Sequence, residues 1–487
     1  MKLRSNRQTA TDEAANRLQH RTGSSHTDLT QDMTDAAAMD TSQQRGTNGD
    51  HQLRDDIHVK GKPVAQLTHS SSDVEMTNEL SNDGSTCNHA KQDLPPSSPS
   101  WGVIKRILHI NIFLYAACFW LQTGVLPYLT KKLGMDMVVY GYLQTFYNII
   151  LLVGTPIFGR FGDLYGGRAA LTLAYAMAAS MYGLLGMATT GAFVFLSRVP
   201  ALFLSANHGT QMVIADLTDE GQRAESLGRL RMTYGLGMIV GPLIGGQVTK
   251  YYSEQHAALV SCLGSLLSVM LVQLFIPVQT KKVAVTKIQE EKSKTGIFSL
   301  KKYVTLLTQT PGALFFLLVT MVSGLPNSIL HSMFPMILME KFELSAEYNG
   351  YVLSSLAIIG MLIQGLCIGP LTKRFSDMAL LRASAVLLIV SFTLMIFAQN
   401  VTYLALIMLP LTCGNSVIGI ILNTVMTKIV SAADTGTMLG LGSAGGSLVS
   451  IFAPTIGGIL MKQCGFFSFG IVGLVANAIL LVILCRN

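Results

Sequence analysis

The sequence predicts an all-helical membrane protein with twelve transmembrane helices in two six-helix halves, preceded by a long polar tail. Half of the 487 residues are hydrophobic and only 13% are charged, a balance that excludes an ordinary soluble domain. The charges cluster between apolar runs that are long enough to cross a bilayer. Two long segments of the first half also recur in the second half. Together these observations predict a duplicated helical bundle.

The first hundred residues differ from everything that follows. Ser, Thr, Asn, Gln, Asp and His dominate residues 1–100, which contain no aromatic residue and no apolar run. Such a composition cannot form a packed core, so we expect a disordered cytoplasmic tail that could bind cytosolic partners. No apolar stretch follows Met1, so we expect no cleavable signal peptide and insertion directed by the first transmembrane helix.

Twelve apolar segments follow the tail, with boundaries good to a few residues. They are predicted at 107–129, 139–158, 168–189, 192–215, 225–248, 257–278, 312–338, 348–369, 380–398, 403–426, 437–460 and 466–484. We therefore divide the chain into the tail, an N-terminal half at 101–278, a cytoplasmic central loop at 279–311 and a C-terminal half at 312–487. Part of the loop, from Ile297, alternates apolar and polar residues, which suits an interfacial helix or a solvated linker equally.

Basic residues predict the orientation of these helices. The tail has a net charge of −4 and the remainder +11. Loops on the tail side carry most of the positive charge, namely Arg160, Arg168, Arg223, Arg229, Arg231, seven lysines from Lys281 to Lys302, Lys373, Arg374, Arg382 and Lys428. The opposite loops hold Lys131, Lys132, Lys250, Lys341 and Lys462. This asymmetry predicts both termini in the cytoplasm, and the absence of a basic face with interleaved aromatics excludes nucleic acid as a partner.

The internal repeat has two parts. The segment from Gly141 matches the segment from Gly350 in layout, and LGRLRMTYGLGMIVGPLIGG from Leu227 aligns without a gap with LGLGSAGGSLVSIFAPTIGG from Leu439. The equivalent positions are Gly228 and Gly440, Pro242 and Pro454, Gly245 and Gly457, and Gly246 and Gly458. Two duplicated halves predict a substrate site between them, near the middle of the membrane.

The fifth helix carries a glycine pattern that spans most of a transmembrane segment. Gly228, Gly237, Gly241, Pro242, Gly245 and Gly246 follow the spacing G, eight residues, G, three residues, GP, two residues, GG. Glycines allow helices to touch backbone to backbone, and a proline leaves one carbonyl without its helical partner. The alternative is helix packing with no part in transport. The pattern resembles the fifth-helix motif of the proton-coupled antiporters of the major facilitator superfamily.

A second motif lies after the second helix. Gly159, Asp163, Gly166 and Arg168 fit the loop motif of the same superfamily, with Leu164 where a basic residue is usual. The glycines suit a tight turn, and Asp163 could cap a helix start and pair with a cation. The resemblance implies a cytoplasmic gate lock, and the alternative is simple charge decoration of a loop. The counterpart in the second half has Lys373 at the acidic position.

The resemblance to this superfamily, and to its drug and organic-cation antiporters in particular, implies the function. It implies a secondary transporter that exports organic cations in exchange for protons by alternating access. It also implies a place in the plasma membrane, apical in polarised cells, with intracellular membranes as an alternative. No nucleotide-binding loop, catalytic triad or metal-ligand spacing occurs, so we expect no enzyme activity, no cofactor and no metal.

Proton coupling has few candidates in the sequence. By inspection no Asp or Glu lies at mid-membrane, so Arg198, His208 and His331 are the residues proposed to take part in it. Arg198 stands where the antiporters have a buried arginine, which could tune a nearby proton carrier or bind an anionic group. It could also extend its charged end to the outer interface. The histidines could equally be satisfied packing residues.

Aromatic and amide side chains are the candidates for substrate binding. Aromatic faces can hold an organic cation without a carboxylate, although aromatics in apolar helices are usually packing residues. The proposed site residues are Tyr115, Trp120, Gln122, Tyr142, Phe146, Asn207, Gln211, Tyr234, Asn327 and Asn415, with Phe119, Tyr147 and Asn148 as further possible lining. An anionic or lipid-like substrate, or a regulatory protein with a transporter fold, remain alternative functions.

Overall fold

The computed structural model describes residues 101–218, 220–278, 306–431 and 434–486. The predicted tail at 1–100 and most of the predicted central loop, at 279–305, lie outside the described residues. Long α-helices joined by short turns make up the described chain.

The first half begins with a helix of 32 residues. Its elements are α1 (Trp101–Lys132), α2 (Met137–Gly186), α3 (Gly191–Leu196), a 3₁₀ turn (Val199–Phe203), α4 (Ala206–Leu217), α5 (Glu220–Tyr251) and α6 (Glu254–Phe275). Side-chain caps mark several of the helix starts. Asp136 accepts a hydrogen bond from the Val139 backbone N–H at 2.9 Å, and Ser253 accepts one from His256 at 3.3 Å, which satisfies amides that have no partner within a helix.

The second half repeats this arrangement. Its elements are α7 (Ala313–Glu340), α8 (Ala346–Leu362), a π-helical turn (Ile363–Cys367), α9 (Ile368–Arg374), α10 (Asp377–Ile396), α11 (Val401–Lys428), α12 (Thr435–Gln463) and α13 (Phe467–Arg486). The π-helical turn and α9 continue from α8, so the segment from Ala346 to Arg374 forms one apolar span. It covers the helix predicted at 348–369.

Within the described residues, nine helices are long and apolar enough to cross a membrane. Three features account for the difference from the twelve predicted segments. The 50-residue α2 covers the second and third predicted segments as one helix. The fourth predicted segment is broken into short pieces. The fifth predicted segment, α5, is rich in glycine, and glycine contributes little to the mean hydropathy by which the apolar helices are recognised.

Two sequence expectations need correction at this level. The segment predicted as one helix at 192–215 is interrupted by a 3₁₀ turn, because Pro200 lies at its start and cannot donate an amide to the preceding turn. The chain also stays helical through Asp163, so this residue does not cap the start of a new helix. The break comes at Gly166, whose φ of 85° lies in the region that only glycine adopts freely.

The two halves meet tightly at one end of the bundle. We call it the closed end; it carries the turns at 133–136, 252–253, 341–345 and 464–466. The largest buried apolar cluster crosses from one half to the other here, with Leu126 and Leu129 of α1 in the same cluster as Met336 and Ile337 of α7. Burial of these side chains holds the halves together at this end.

The opposite end, the open end, is looser. A Cβ atom added at Gly159, Gly228, Gly369 or Gly440 would meet no atom within 4 Å outside its own helix. Tyr165 is 66% exposed there. Among the described residues, the buried apolar clusters at this end stay within one half each, so the helices converge at the closed end and separate toward the open end.

Candidate functional site

A cavity lies between the halves beneath the closed end. It has a volume of about 170 Å³ and adjoins a second space of about 320 Å³, with Asn148, His331 and Ser332 lining both. The first space is lined by Phe119, Trp120, Gln122, Thr123, Leu126, Gln144, Tyr147, Asn148, Met181, Tyr182, Arg198, His331 and Ser332. The second adds Asn327, Ser328 and Ser450. The walls come from both halves, as the internal repeat predicts.

Arg198 is the most unusual residue of this cavity. The break after α3 turns its side chain inward, so it is only 4% exposed and does not extend to the interface. One guanidinium nitrogen, Nη1, lies 4.0 Å from the Met181 sulfur, and the guanidinium carbon lies 5.8 Å from the centre of the Tyr147 ring. Nε and Nη2 have no hydrogen-bond partner among the residues that the structure describes. None of the residues that line either space is acidic.

Further buried polar groups around the cavity also lack partners. Both the oxygen and the nitrogen of the Gln122 amide are buried and unpaired, and so is the hydroxyl of Tyr182. By contrast, Gln144 donates to the Tyr140 hydroxyl at 3.0 Å. Buried polar groups are normally hydrogen-bonded, so several unpaired ones around one cavity indicate a place for a polar ligand.

An aromatic cluster forms another wall. Trp120 and His331 meet edge to face with ring centres 5.8 Å apart, and the Trp120 indole N–H donates to the Tyr234 hydroxyl at 3.3 Å. Phe119 packs against Trp120 with ring centres 5.8 Å apart. This cluster connects α1, α5 and α7, and it gives the cavity an aromatic wall of rings that meet edge to face.

The structure brings together some of the predicted site residues and separates others. Arg198, His331, Trp120, Gln122 and Asn327 line the cavity, and Tyr234 supports Trp120. The remaining candidates, which do not line it, are Tyr115, Tyr142, Phe146, Asn207, His208, Gln211 and Asn415.

Each of these other candidates has a different setting. His208 and Tyr142 are exposed, Tyr115 donates to the Leu204 carbonyl at 3.2 Å, and Phe146 packs on Phe195. Asn207 pairs with Gln211 at 3.2 Å, and Asn415 is half-buried in α11.

Sequence reasoning missed several lining residues. Gln144, Met181, Tyr182, Ser332 and Ser450 were not candidates, although Gln144 and Asn148 form an i, i+4 polar pair in an apolar helix, a spacing that places both on one face. That spacing was a usable signal. No sequence feature marked Tyr182 as a lining residue, because an aromatic residue in an apolar helix is usually a packing residue.

The glycine pattern of α5 faces α1. Gly237, Gly241 and Gly245 pack on the α1 backbone between Phe113 and Leu121, so that a Cβ at Gly245 would lie 2.9 Å from the Leu121 carbonyl oxygen. Packing this close requires glycine. Gly228 meets nothing within 4 Å, and the same is true of Gly440 in the second half.

A neighbouring face of the same turns of α5 contacts the other half of the molecule. Gly246 packs against Ala346 and Glu347 of α8, and Gly350 of α8 packs against the Pro242 carbonyl. Between α2 and α12 the same contacts recur. Gly458 packs against Met137, and a Cβ at Gly141 would lie 2.6 Å from the Pro454 carbonyl oxygen. In addition, Gly457 packs on Met333 of α7, as Gly245 packs on α1. The repeat in the sequence is thus a repeat of contacts.

The loop motif contacts α6. Arg168 donates through Nη2 to the Gln273 backbone carbonyl at 2.7 Å and to the Gln273 side-chain oxygen at 2.8 Å, and Gln273 donates to Thr172 at 2.8 Å. Asp163 is exposed beside this turn. The arginine therefore holds the end of α6 against the start of the second part of α2.

Among the described residues, no group of three or more His, Cys, Asp or Glu side chains is placed to hold a metal ion.

Comparison with known proteins is consistent with this architecture. The sequence profile of the Major Facilitator Superfamily matches residues 108–321 and again residues 316–486. Solute carrier family 22 member 18 of Mus musculus is 37% identical over 80% of this chain and 97% of its own length. Multidrug resistance protein 1 of Bacillus subtilis is 26% identical over 73% of this chain and 88% of its own length.

A solved structure supports the same conclusion. The crystal structure of a mutant of the nucleoside transporter NupG superimposes with a TM-score of 0.64 at 17% identity, covering 79% of this chain and 98% of that one. Taken with the paired helix contacts, the central cavity and the two profile matches, these similarities show that the chain belongs to the Major Facilitator Superfamily of membrane transporters.

Proposed function

We propose that this protein is a secondary transporter that moves small organic solutes by alternating access, with the cavity beneath the closed end as its substrate site. The observation that carries the proposal is the pair of equivalent crossings, α5 with α8 and α2 with α12, that seal one side of the cavity while the other end stays open. An arrangement of two repeats around a central site allows the halves to rock about it.

We further propose twelve membrane crossings. The left-handed Gly166 divides α2 into two crossings, the pieces from Gly191 to Leu217 make one interrupted crossing, and α5 makes another. These three additions to the nine apolar helices give the predicted number. Interrupted helices are tolerated in a bilayer where they line a cavity within the protein, as the segment around Arg198 does.

Charge supports an open end that faces the cytoplasm. Several arginines lie toward the open end, namely Arg160, Arg168, Arg229 and Arg231. An excess of basic residues is typical of cytoplasmic loops. The closed-end lysines are instead partly neutralised by ion pairs. Those pairs are Lys131 with Glu340, Lys250 with Glu347 and Lys462 with Asp136. Both termini would then be cytoplasmic, with the plasma membrane or an intracellular membrane as the site of action.

Exchange of organic cations for protons is a second candidate function. Trp120, Phe119 and Tyr147 give the cavity aromatic faces. Pro127 and Pro335 remove the amides that would pair with the carbonyls of Thr123 and His331. Aromatic faces and carbonyl oxygens suit a cation, and the similarity to Multidrug resistance protein 1 supports exchange. For exchange with protons, His331 is better placed than His208 to carry the proton, because His331 lines the cavity.

Reconstitution tests the proposal. We expect the purified full-length protein in proteoliposomes to take up a radiolabelled solute saturably, and to exchange it for unlabelled solute added on the other side. A covalent link between cysteines introduced at Thr145 and Thr455, whose hydroxyls lie 2.8 Å apart across the α2 and α12 crossing, should stop uptake, and reduction of the link should restore it. Uptake that persists with the link intact would contradict alternating access.

A further inference from the structure

We propose that the cavity recognises organic anions, with the guanidinium of Arg198 binding the carboxylate of the solute. This inference rests on the proposed transport function and names its substrate class. It starts from a buried charge whose counter-charge is absent from the described residues around it.

A buried arginine needs a partner. Taking a guanidinium out of water is unfavourable unless an opposite charge and hydrogen bonds compensate for the lost solvation. Arg198 is 4% exposed, its nearest described contacts are a sulfur atom and an aromatic ring, and no acidic residue lines the cavity. A ligand that brings a negative charge would supply what the protein does not.

The free edge of the guanidinium has the right geometry for a carboxylate. Nε and Nη2 are the unpaired nitrogens, whereas Nη1 points to the Met181 sulfur. These two nitrogens share one edge of the planar guanidinium group, and their parallel N–H bonds match the two oxygens of a carboxylate. The side chain therefore contacts the protein through Nη1 and is unpaired at the edge that can bind a carboxylate through two hydrogen bonds.

Two further unpaired groups lie around the same cavity. The Tyr182 hydroxyl and the Gln122 amide N–H can donate to an anionic oxygen, and both are buried without partners. Trp120, Phe119 and Leu126 form an apolar wall for the rest of the solute. The site therefore fits a small amphipathic carboxylate with an aromatic or aliphatic body. A cation in the same position would meet the uncompensated charge of Arg198.

The test uses three probes with one aromatic skeleton. Indole-3-acetate is an anion, tryptamine a cation and indole-3-acetamide is neutral. Binding to the full-length protein in detergent is measured by thermal shift and by isothermal titration, and uptake is measured in proteoliposomes. We expect indole-3-acetate to bind at least about tenfold more tightly than indole-3-acetamide, as a charge-assisted hydrogen-bond pair implies, and tryptamine to bind more weakly than either.

The variants separate charge from geometry. Arg198→Gln should remove the preference for indole-3-acetate, and Arg198→Lys should retain only part of it, because an ammonium group cannot bind both oxygens. Arg106→Gln is the matched control, since Arg106 is exposed and its one hydrogen bond within the described part of the chain is to the Gly102 carbonyl of its own helix. Should Arg198 variants fail to fold, Tyr182→Phe keeps the charge, and we expect it to weaken indole-3-acetate binding and leave indole-3-acetamide unaffected.

The outcomes distinguish this inference from the transport proposal. Preferential binding of indole-3-acetate without uptake would support the anion site and contradict transport. Saturable uptake of tryptamine that Arg198→Gln does not alter would support transport and overturn the anion site. Equal binding of all three probes by the parent and Arg198→Gln would also overturn it.

Discussion

The Ser354 hydroxyl of α8 donates a 2.6 Å hydrogen bond to the Ile239 carbonyl of α5, three residues before Pro242. Its equivalent joins the other two crossing helices, where Thr145 of α2 donates to the Ile451 carbonyl of α12 at 2.7 Å. The same hydroxyl-to-carbonyl bond thus occurs twice, at positions that the sequence repeat makes equivalent. These bonds lie across the contact that must separate if the closed end opens.

The equivalence fails one turn further along. Asn148 donates to the Ser450 carbonyl at 2.6 Å, and that carbonyl lies four residues before Pro454, which has no amide to offer it. Ala357 stands at the position of Asn148 in the second half and cannot make this bond. The α2 and α12 crossing is therefore hydrogen-bonded closer to the cavity than its counterpart.

We expect Ser354→Ala to favour opening of the closed end. Losing one hydrogen bond changes the free energy of closing by about 1 kcal/mol, or about fivefold in the population of the open arrangement. The measure is maleimide labelling of a cysteine introduced at Leu353, which is buried beside Gly124 of the other half, in a background without reactive native cysteines. Ser355→Ala is the control, because Ser355 bonds only within its own helix. Equal labelling rates would contradict the prediction.

Gly241→Ala should weaken the contact between α5 and α1. An added methyl group would lie 2.9 Å from the Leu121 backbone nitrogen, so the helices must separate, at about 1–3 kcal/mol of stability. We expect lower thermal stability and a loss of uptake. At Gly419, where a Cβ meets nothing within 4 Å, the same substitution should be neutral or slightly stabilising. Wild-type uptake and stability in Gly241→Ala would show that the glycine pattern is not required.

Arg198→Gln should stabilise the protein when no solute is present. Replacing a buried, unpaired charge by a neutral group removes its desolvation penalty, and we expect a gain on the order of 1–4 kcal/mol in the free energy of unfolding. Thermal unfolding in detergent without added solute measures it, with Arg106→Gln as the exposed control. A lower unfolding temperature for Arg198→Gln alone would mean that the guanidinium is compensated within the protein.

The ion pair between Asp136 and Lys462 should make the closed end sensitive to acid. The Lys462 ammonium, at 2.7 Å, and then the Val139 amide hold the pKa of Asp136 below its usual value. A carboxyl with a lowered pKa stabilises the paired state above its ordinary pKa, and that contribution is lost as the pH falls through the lowered value. We expect faster labelling at the Leu353→Cys position below about pH 4, measured with a pyridyl disulfide that stays reactive in acid and relative to an exposed reference cysteine.

The acid effect at Asp136 should be small, because both side chains are about half exposed and exposed pairs contribute little. In Asp136→Asn the part of the labelling rate that depends on acid should disappear. High salt should mimic acid in the parent protein, since salt screens an exposed pair. An acid response that survives in Asp136→Asn would assign it to another group.

His331 and His208 should differ in their effect on the pH profile of uptake. His331 lines the cavity against Trp120, whereas His208 is exposed outside it. If a proton carrier lies at the substrate site, His331→Gln flattens the dependence of uptake on pH and His208→Gln preserves it. Proteoliposome uptake over a series of pH values measures this. A flattened profile in His208→Gln alone would move the coupling group out of the cavity.

The sequence was sufficient to predict an all-helical membrane protein of the Major Facilitator Superfamily, because membrane helices are read from local composition and a duplication is read from local spacing. Apolar runs, loop charges and the repeat of glycine and proline are each defined by residues that lie close together in the sequence. The glycine spacing also predicted that α5 packs closely on another helix. Glycines spaced four residues apart share one helix face and leave no side chains to separate two backbones. The break in α2 falls at Gly166, one of the glycines of the loop motif, because a φ of 85° favours glycine.

The site required the tertiary structure. Whether Arg198 faces the interface or the cavity depends on a helix break at Pro200, and its unpaired edge depends on where Met181 and Tyr147 come to lie from a distant part of the chain. The candidates Trp120, Gln122 and His331 meet there, while Tyr142 and His208 point elsewhere, although all lie in similar apolar sequence. Composition establishes that a residue is in the membrane, but only the packing of helices from both halves decides which face it presents and which polar groups are left without a partner.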